Sequence, residues 1–82
     1  IQPLAPQHFL VVPKEHITGA NRINETNEAL VGHIFTVIAR LVSVLGFSDG
    51  YRVVTNCGQD AGQTVAHLHF HVLGGKTLGS FN

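Results

Sequence analysis

From His67 to Val72 the chain alternates strictly: His67, His69 and His71 are interleaved with Leu68, Phe70 and Val72. A period of two marks a half-buried strand, because successive side chains on a strand point to opposite faces. One face is then core and the other imidazole. Gly74 and Gly75 close this element. Two further strands are predicted. His8-Phe9-Leu10-Val11-Val12 is a short apolar run ended by Pro13, and Tyr51 to Asn56 alternates after a Ser48-Asp49-Gly50 turn. The loop from Cys57 to Thr64 returns the chain directly into the histidine segment, which makes these two strands antiparallel neighbours.

Between the first two strands the period changes to that of a helix. Asn24 or Thr26 can cap it, Glu25 and Glu28 suit the positive end of its dipole, and Gly46 stops it after about Leu45. Leu30, Ile34, Val37, Ile38, Leu41 and Leu45 form one apolar stripe, and Val31, Phe35 and Val42 widen it. The arc is broader than packing on a single sheet requires. It predicts burial against a second copy of the chain, the alternative being burial within a larger domain. His33 and Arg40 fall towards the polar side, and Lys14 to Asn21 reads as a connection in which His16 is a loop residue.

At 82 residues this is a single domain. The first residue is not methionine and Ile1 to Pro6 leads almost at once into a strand, so the expectation is a chain that begins part-way through a longer protein. A net charge of zero, with histidines neutral, supplies no basic field for nucleic acid or an anionic membrane. The apolar stretch from Ala29 to Leu45 is broken by Gly32, His33, Thr36, Arg40 and Ser43, which argues against a membrane span and for a soluble protein. A lone cysteine, Cys57, excludes an internal disulfide and suits a reducing compartment, the cytoplasm or the nucleus.

Three imidazoles on one strand face admit two chemistries. Histidines at i, i+2 and i+4 spread over about 14 Å, at twice the strand rise per step. Ligands about 2 Å from one metal cannot span that distance, so at most two of them serve a common ion. The alternative is nucleophilic attack on phosphorus by a neutral imidazole whose second nitrogen is hydrogen-bonded. The preceding loop carries what a phosphate needs: N–H groups exposed at Gly58 and Gly62, the Thr64 hydroxyl, and the amides of Asn56 and Gln63. These neutral donors suit a mononucleotide better than a more highly charged ligand.

The run Gly62-Gln63-Thr64-Val65-Ala66-His67-Leu68-His69-Phe70-His71-Val72-Leu73-Gly74-Gly75 closely resembles the signature of the histidine triad (HIT) superfamily of nucleotide hydrolases and transferases. Pro3 to Lys14 and Gly50 to Asn56 resemble its other strands, so the likeness extends from Ile1 to about Lys76. Leu73-Gly74-Gly75 is most similar to the Hint branch, the purine nucleoside phosphoramidases. The resemblance implies an α+β fold, an antiparallel meander sheet with one long helix, lacking the family's N-terminal elements. It implies a homodimer formed through that helix.

Carried over by position, the resemblance makes His69 the nucleophile, which forms a nucleotidyl-histidine intermediate, and His71 a phosphate contact. His67 and His8 complete a four-histidine site as partners of one another. Asn56, Gly62, Gln63 and Thr64 match phosphate and ribose contacts, Thr64 standing where a serine approaches the leaving nitrogen, and Ile1 lines the nucleoside pocket. The ligand implied is a purine nucleotide resembling AMP, with no cofactor. Some relatives bind zinc through an N-terminal cysteine pair and the positions matching His8 and His67; no such pair occurs here. The tryptophan-containing tail of close relatives is likewise missing. Two alternatives stay open: a dinucleoside polyphosphate hydrolase or nucleotidyl transferase, and a non-catalytic nucleotide-binding scaffold.

Overall fold

The computed structural model describes residues 7–80, so Ile1 lies outside the described residues. Strand β1 (Gln7–Val11) is followed by a short 3-10 turn (Ala20–Arg22), helix α1 (Glu28–Leu45), strand β2 (Tyr51–Val54), a second 3-10 turn (Gln59–Ala61) and strand β3 (Phe70–Gly74). The three strands form one antiparallel sheet in the order β1-β3-β2. Only the step from β2 to β3 is a meander connection; β1 joins on the far side, which places the histidine strand in the middle. The central position suits it, since Phe70, Val72 and Gly74 are all buried.

Register separates the two faces. Val72 pairs with Phe9 and Val53 on the side that meets α1, while His71 lies between Leu10 and Val54 on the other, with Leu73 between His8 and Arg52 in the next row. Ile34, Ile38 and Val42 of α1 pack with Leu68, Phe70, Val72 and Ile17 into one buried cluster. The helix surface turned to the sheet is therefore rotated from the expected stripe: Val42 is in the core, whereas Leu41 and Leu45 stay exposed. Ile34, Ile38 and Val42 form a seam at i, i+4 and i+8 against the narrow three-stranded sheet, Leu30 and Val31 pack partly against it, and Leu41, Val44 and Leu45 stay exposed. By length and composition α1 could cross a membrane, with mean hydropathy 1.7, yet its core seam is committed to the sheet.

The helix start is more elaborate than a single cap. Regular α-helix begins at Glu28, but the Asn24 side chain accepts the N–H of Thr26 at 2.8 Å, and Asn27 Oδ1 reaches back to the N–H of Asn24 at 2.8 Å. This departs from a capping box, since the Asn24 side chain takes the N–H of Thr26 while Asn27, the residue that caps the helix, returns a bond to the Asn24 N–H. Asn27 is buried, and its Nδ2 donates to Arg22 O, so its burial carries no unpaired group.

At the other end Gly46 adopts φ 76°, a left-handed conformation that costs a residue with a side chain more. Its N–H donates to Ser43 O and that of Phe47 to Val42 O, the Schellman arrangement. Phe47 is thereby turned back over β3. A Cβ built on Gly74 would stand 2.5 Å from Phe47 Cδ2 and 2.6 Å from Cε2, so glycine is required by the ring above it. Gly74→Ala in the full-length protein is expected to cost about 1–3 kcal/mol in urea unfolding. Pairing it with Phe47→Leu should recover part of that loss, and strictly additive effects would refute the contact.

Candidate functional site

The alternation at the histidines holds over a longer span than the strand. Regular pairing begins only at Phe70, so His67 and His69 lie in an extended run-in rather than on β3. Leu68, Phe70 and Val72 are nevertheless buried and His67, His69 and His71 half-buried. The run-in is held from outside the sheet: Leu68 N–H donates to Ile17 O at 2.6 Å. Freed from strand geometry, the rings of His69 and His71 come to 5.2 Å between centroids, nearly edge-to-face, closer than the spacing of about 7 Å along a regular strand.

Hydrogen bonds assign the protons. His69 Nδ1 lies 2.7 Å from His67 O. A carbonyl only accepts, so Nδ1 carries the proton and the lone pair of the neutral ring is at Nε2. His67 Nε2 likewise donates to Pro13 O at 3.0 Å, which leaves His67 Nδ1 as an acceptor facing His16 Nδ1 at 3.3 Å. His8 Nε2 and His71 Nδ1 share one proton across 2.9 Å. His71 is held below the ordinary histidine value, first by desolvation and then by the neighbouring His69 and His8. It is neutral at pH 7.

One expected pairing changes and one unforeseen pairing appears. His8 meets His71 rather than His67: it stands opposite Leu73 in the register, diagonal to His71 across the β1-β3 seam. His67 meets His16, which reads as a plain loop residue in the sequence. The only signal for His16 is its place on the loop that leaves β1 and whose Ile17 bonds to Leu68. The pair also bears on zinc. A separation of 3.3 Å suits an N–H···N bond, and it equals that of two nitrogen ligands on a tetrahedral zinc, about 3.3 Å at the usual bond lengths. Among the described residues no third histidine, cysteine or carboxylate joins them. Two nitrogens alone fall short of the four ligands of a structural zinc site.

The loop donors divide sharply. Gly58 N–H donates to Gln63 Oε1 at 2.8 Å and Gly62 N–H to Gln59 O at 3.0 Å, so neither is open to a phosphate as expected. Both amide protons of Gln63 are also engaged, at Thr18 O and Val65 O. Thr64 is exposed with no described hydrogen bond at its hydroxyl, and Asn56 is half-buried two residues beyond Val54, the β2 partner of His71. Thr64, Thr18, Asn21 and Cys57 share a hollow of about 350 Å³, in which Cys57 Sγ donates to Asn21 Oδ1 at 3.4 Å.

The low value of His71 makes a prediction with a definite sign. Protonation favours the unfolded chain, so stability falls as the pH drops from about 6.5 through the folded value of His71. A His71→Asn variant of the full-length protein should lose part of that acid limb in denaturant titrations between pH 7 and 5. An NMR titration should find the His71 ring changing charge below about 6.5.

Comparison with known proteins places this geometry. The sequence matches the HIT domain over residues 1–78. An uncharacterised HIT-like protein of Synechococcus elongatus is 41% identical over 78 residues, covering 95% of this chain and 68% of its own. A histidine triad protein from Clostridium difficile superposes with TM-score 0.92 at 43% identity, covering 100% of this chain and 72% of that one. A HIT family hydrolase from Clostridium thermocellum gives 0.89 at 47%, covering 95% and 69%. A histidine triad nucleotide-binding protein from Candida albicans gives 0.75 at 30%, covering 100% and 66%.

Proposed function

Because the chain belongs to the HIT domain family, we propose that it carries the catalytic site of a nucleotide hydrolase acting on purine nucleoside 5′-monophosphoramidates. The observation that supports this most is the His69 Nδ1 bond to His67 O, which leaves Nε2 unprotonated. Neighbours described as a HIT family hydrolase and as a histidine triad nucleotide-binding protein support the hydrolase class and the nucleotide ligand.

In this reading Nε2 of His69 attacks the α-phosphorus in line with the P–N bond. That bond breaks, and the amine departs with a proton that the Thr64 hydroxyl takes from a solvent water and passes on; the water that attacks in the second step returns one proton to solvent. Positive charge developing on the His69 ring is stabilised by the His67 carbonyl at Nδ1. His8 donates to His71 Nδ1, so His71 Nε2–H donates to a phosphoryl oxygen. Asn56 and Thr64 supply further neutral donors. Water then attacks phosphorus, the P–Nε2 bond breaks, the nucleoside monophosphate leaves, and His69 returns to its Nδ1–H form. Ile1, outside the described residues, is the candidate for the nucleoside contact.

His69→Ala in the full-length protein is expected to abolish turnover of an adenosine phosphoramidate while AMP affinity stays within about tenfold, since the nucleophile is removed and the phosphate donors remain. A nucleotidyl adduct mapped to His69 after rapid quenching at neutral or alkaline pH separates the enzyme from a scaffold that only binds. Unchanged turnover in His69→Ala would falsify the assignment.

The quaternary state we assign is a homodimer joined at α1, in the cytoplasm, where the lone thiol of Cys57 stays reduced. Val44 is 84% exposed, with Leu41 and Leu45 also exposed on α1, while Phe35, 48% exposed, lies edge-to-face against Phe70 at the edge of the sheet–helix contact. Light scattering of the full-length protein at micromolar concentration should give twice the chain mass. Val44→Glu should shift it towards the monomer without loss of helix.

A further inference from the structure

Gln63 lies among the expected phosphate ligands, yet its side chain is occupied elsewhere. Oε1 accepts the Gly58 N–H at 2.8 Å, and Nε2 donates to Thr18 O at 2.7 Å and to Val65 O at 3.0 Å. A primary amide has two donor protons, and both are bonded to carbonyls. Turning the group towards an anion breaks these bonds. Its own N–H donates to Gly58 O at 3.1 Å, which closes the loop on itself.

The three partners belong to three separate segments. Thr18 is in the connection after β1, Gly58 in the loop after β2, and Val65 in the run-in to the histidines. Gly19, buried beside Thr18, makes room for the amide: a Cβ there would stand 3.3 Å from Gln63 Oε1. The Val65 carbonyl is shared, accepting also the N–H of His67 at 2.8 Å. The far end of that residue is the carbonyl that holds His69 Nδ1. An unbroken line thus runs from the Gln63 amide through Val65 O and the His67 peptide to the ring of His69.

We propose that Gln63 is a positioning residue, which acts through Val65 and His67 to fix the tautomer and aim of His69, and is not a ligand of the substrate. The kinetic part of this rests on the hydrolase reading above; the part concerning the His69 tautomer stands without it. Without the amide, Val65 O loses one of its two donors and the His67 peptide is free to tilt. His69 Nδ1 then loses a well-aimed acceptor, and the neutral ring divides its proton between Nδ1 and Nε2.

The test uses full-length protein with Gln63→Ala and Gln63→Glu. Nitrogen chemical shifts of the His69 ring, in the absence of nucleotide, should report the pure Nδ1–H tautomer in the wild type and a mixture in Gln63→Ala. For hydrolysis of an adenosine phosphoramidate, kcat should fall by about 10²-fold, the scale of a misplacement near 1 Å, with KM changed less than about threefold. Gln63→Glu keeps an acceptor for Gly58 but, ionised, has no donor. Its kcat relative to the wild type should therefore rise as the pH is lowered and the carboxyl regains one proton. A purely structural role would not produce that pH-dependent rescue.

A rise in KM with kcat and tautomer unchanged would make Gln63 a ligand and overturn the proposal. So would a pure Nδ1–H tautomer in Gln63→Ala. If the wild type hydrolyses no phosphoramidate, the hydrolase reading fails and the nitrogen shifts alone decide the role of Gln63. If Gln63→Ala does not fold, Gln63→Glu at neutral pH supplies the same shifts.

Discussion

Burial of Leu68, Phe70 and Val72 against Ile34, Ile38 and Val42 is the constraint from which the opposite face follows. Strand side chains alternate, so a slip of one residue would carry three imidazoles into the core and three apolar groups into water. Neither is tolerable: a buried imidazole needs partners that α1 does not offer, and Val72 and Leu68 are almost fully enclosed. Both ends of the histidine segment are also pinned, at Leu68 by Ile17 O and at Gly74 by the Phe47 ring. Packing on one side of the sheet therefore supplies the rigidity that aimed chemistry on the other side needs.

Rigidity alone does not divide labour among identical rings; proton placement does. His69 gives its Nδ1–H to a carbonyl, His67 gives its Nε2–H to another, and His71 shares a proton with His8. One ring is left with an open lone pair at Nε2, while the other two are committed at the nitrogens that would compete with it. The lowered value of His71, set first by burial and then by His69 and His8, keeps a second positive charge away from the His69 ring. Backbone carbonyls achieve this without a carboxylate beside His69, consistent with a chain whose net charge is zero.

What was legible in the sequence was what local periodicity encodes. The alternation at His67 to His71, the helix ending at Gly46 and the three strands are all present, because each is set by neighbours a few residues apart. The failures are long-range. The rotation of α1, which buries Val42 and exposes Leu41, depends on how many strands lie beneath it. The pairings of His8 with His71 and His16 with His67 span 63 and 51 residues, and no spacing rule reaches that far. The bonds of Gln63 show the same limit: an amide in a glycine-rich loop has the composition of an anion ligand, and only the fold shows that its side chain is bonded to Thr18 and Gly58.

These internal bonds bear on ligand choice. With the N–H groups of Gly58 and Gly62 and the Gln63 amide satisfied internally, the Thr64 hydroxyl and the Asn56 amide are the expected loop donors with no described hydrogen bond, and Thr64 faces the hollow beside Thr18, Asn21 and Cys57. A glycine-rich loop that cradles several phosphates presents its backbone N–H groups outward and adds a lysine; this one turns the N–H groups of Gly58 and Gly62 inward and has none between Cys57 and Thr64. Neutral donors in small number match one phosphoryl group carrying little charge better than a polyphosphate, whose successive charges would go uncompensated.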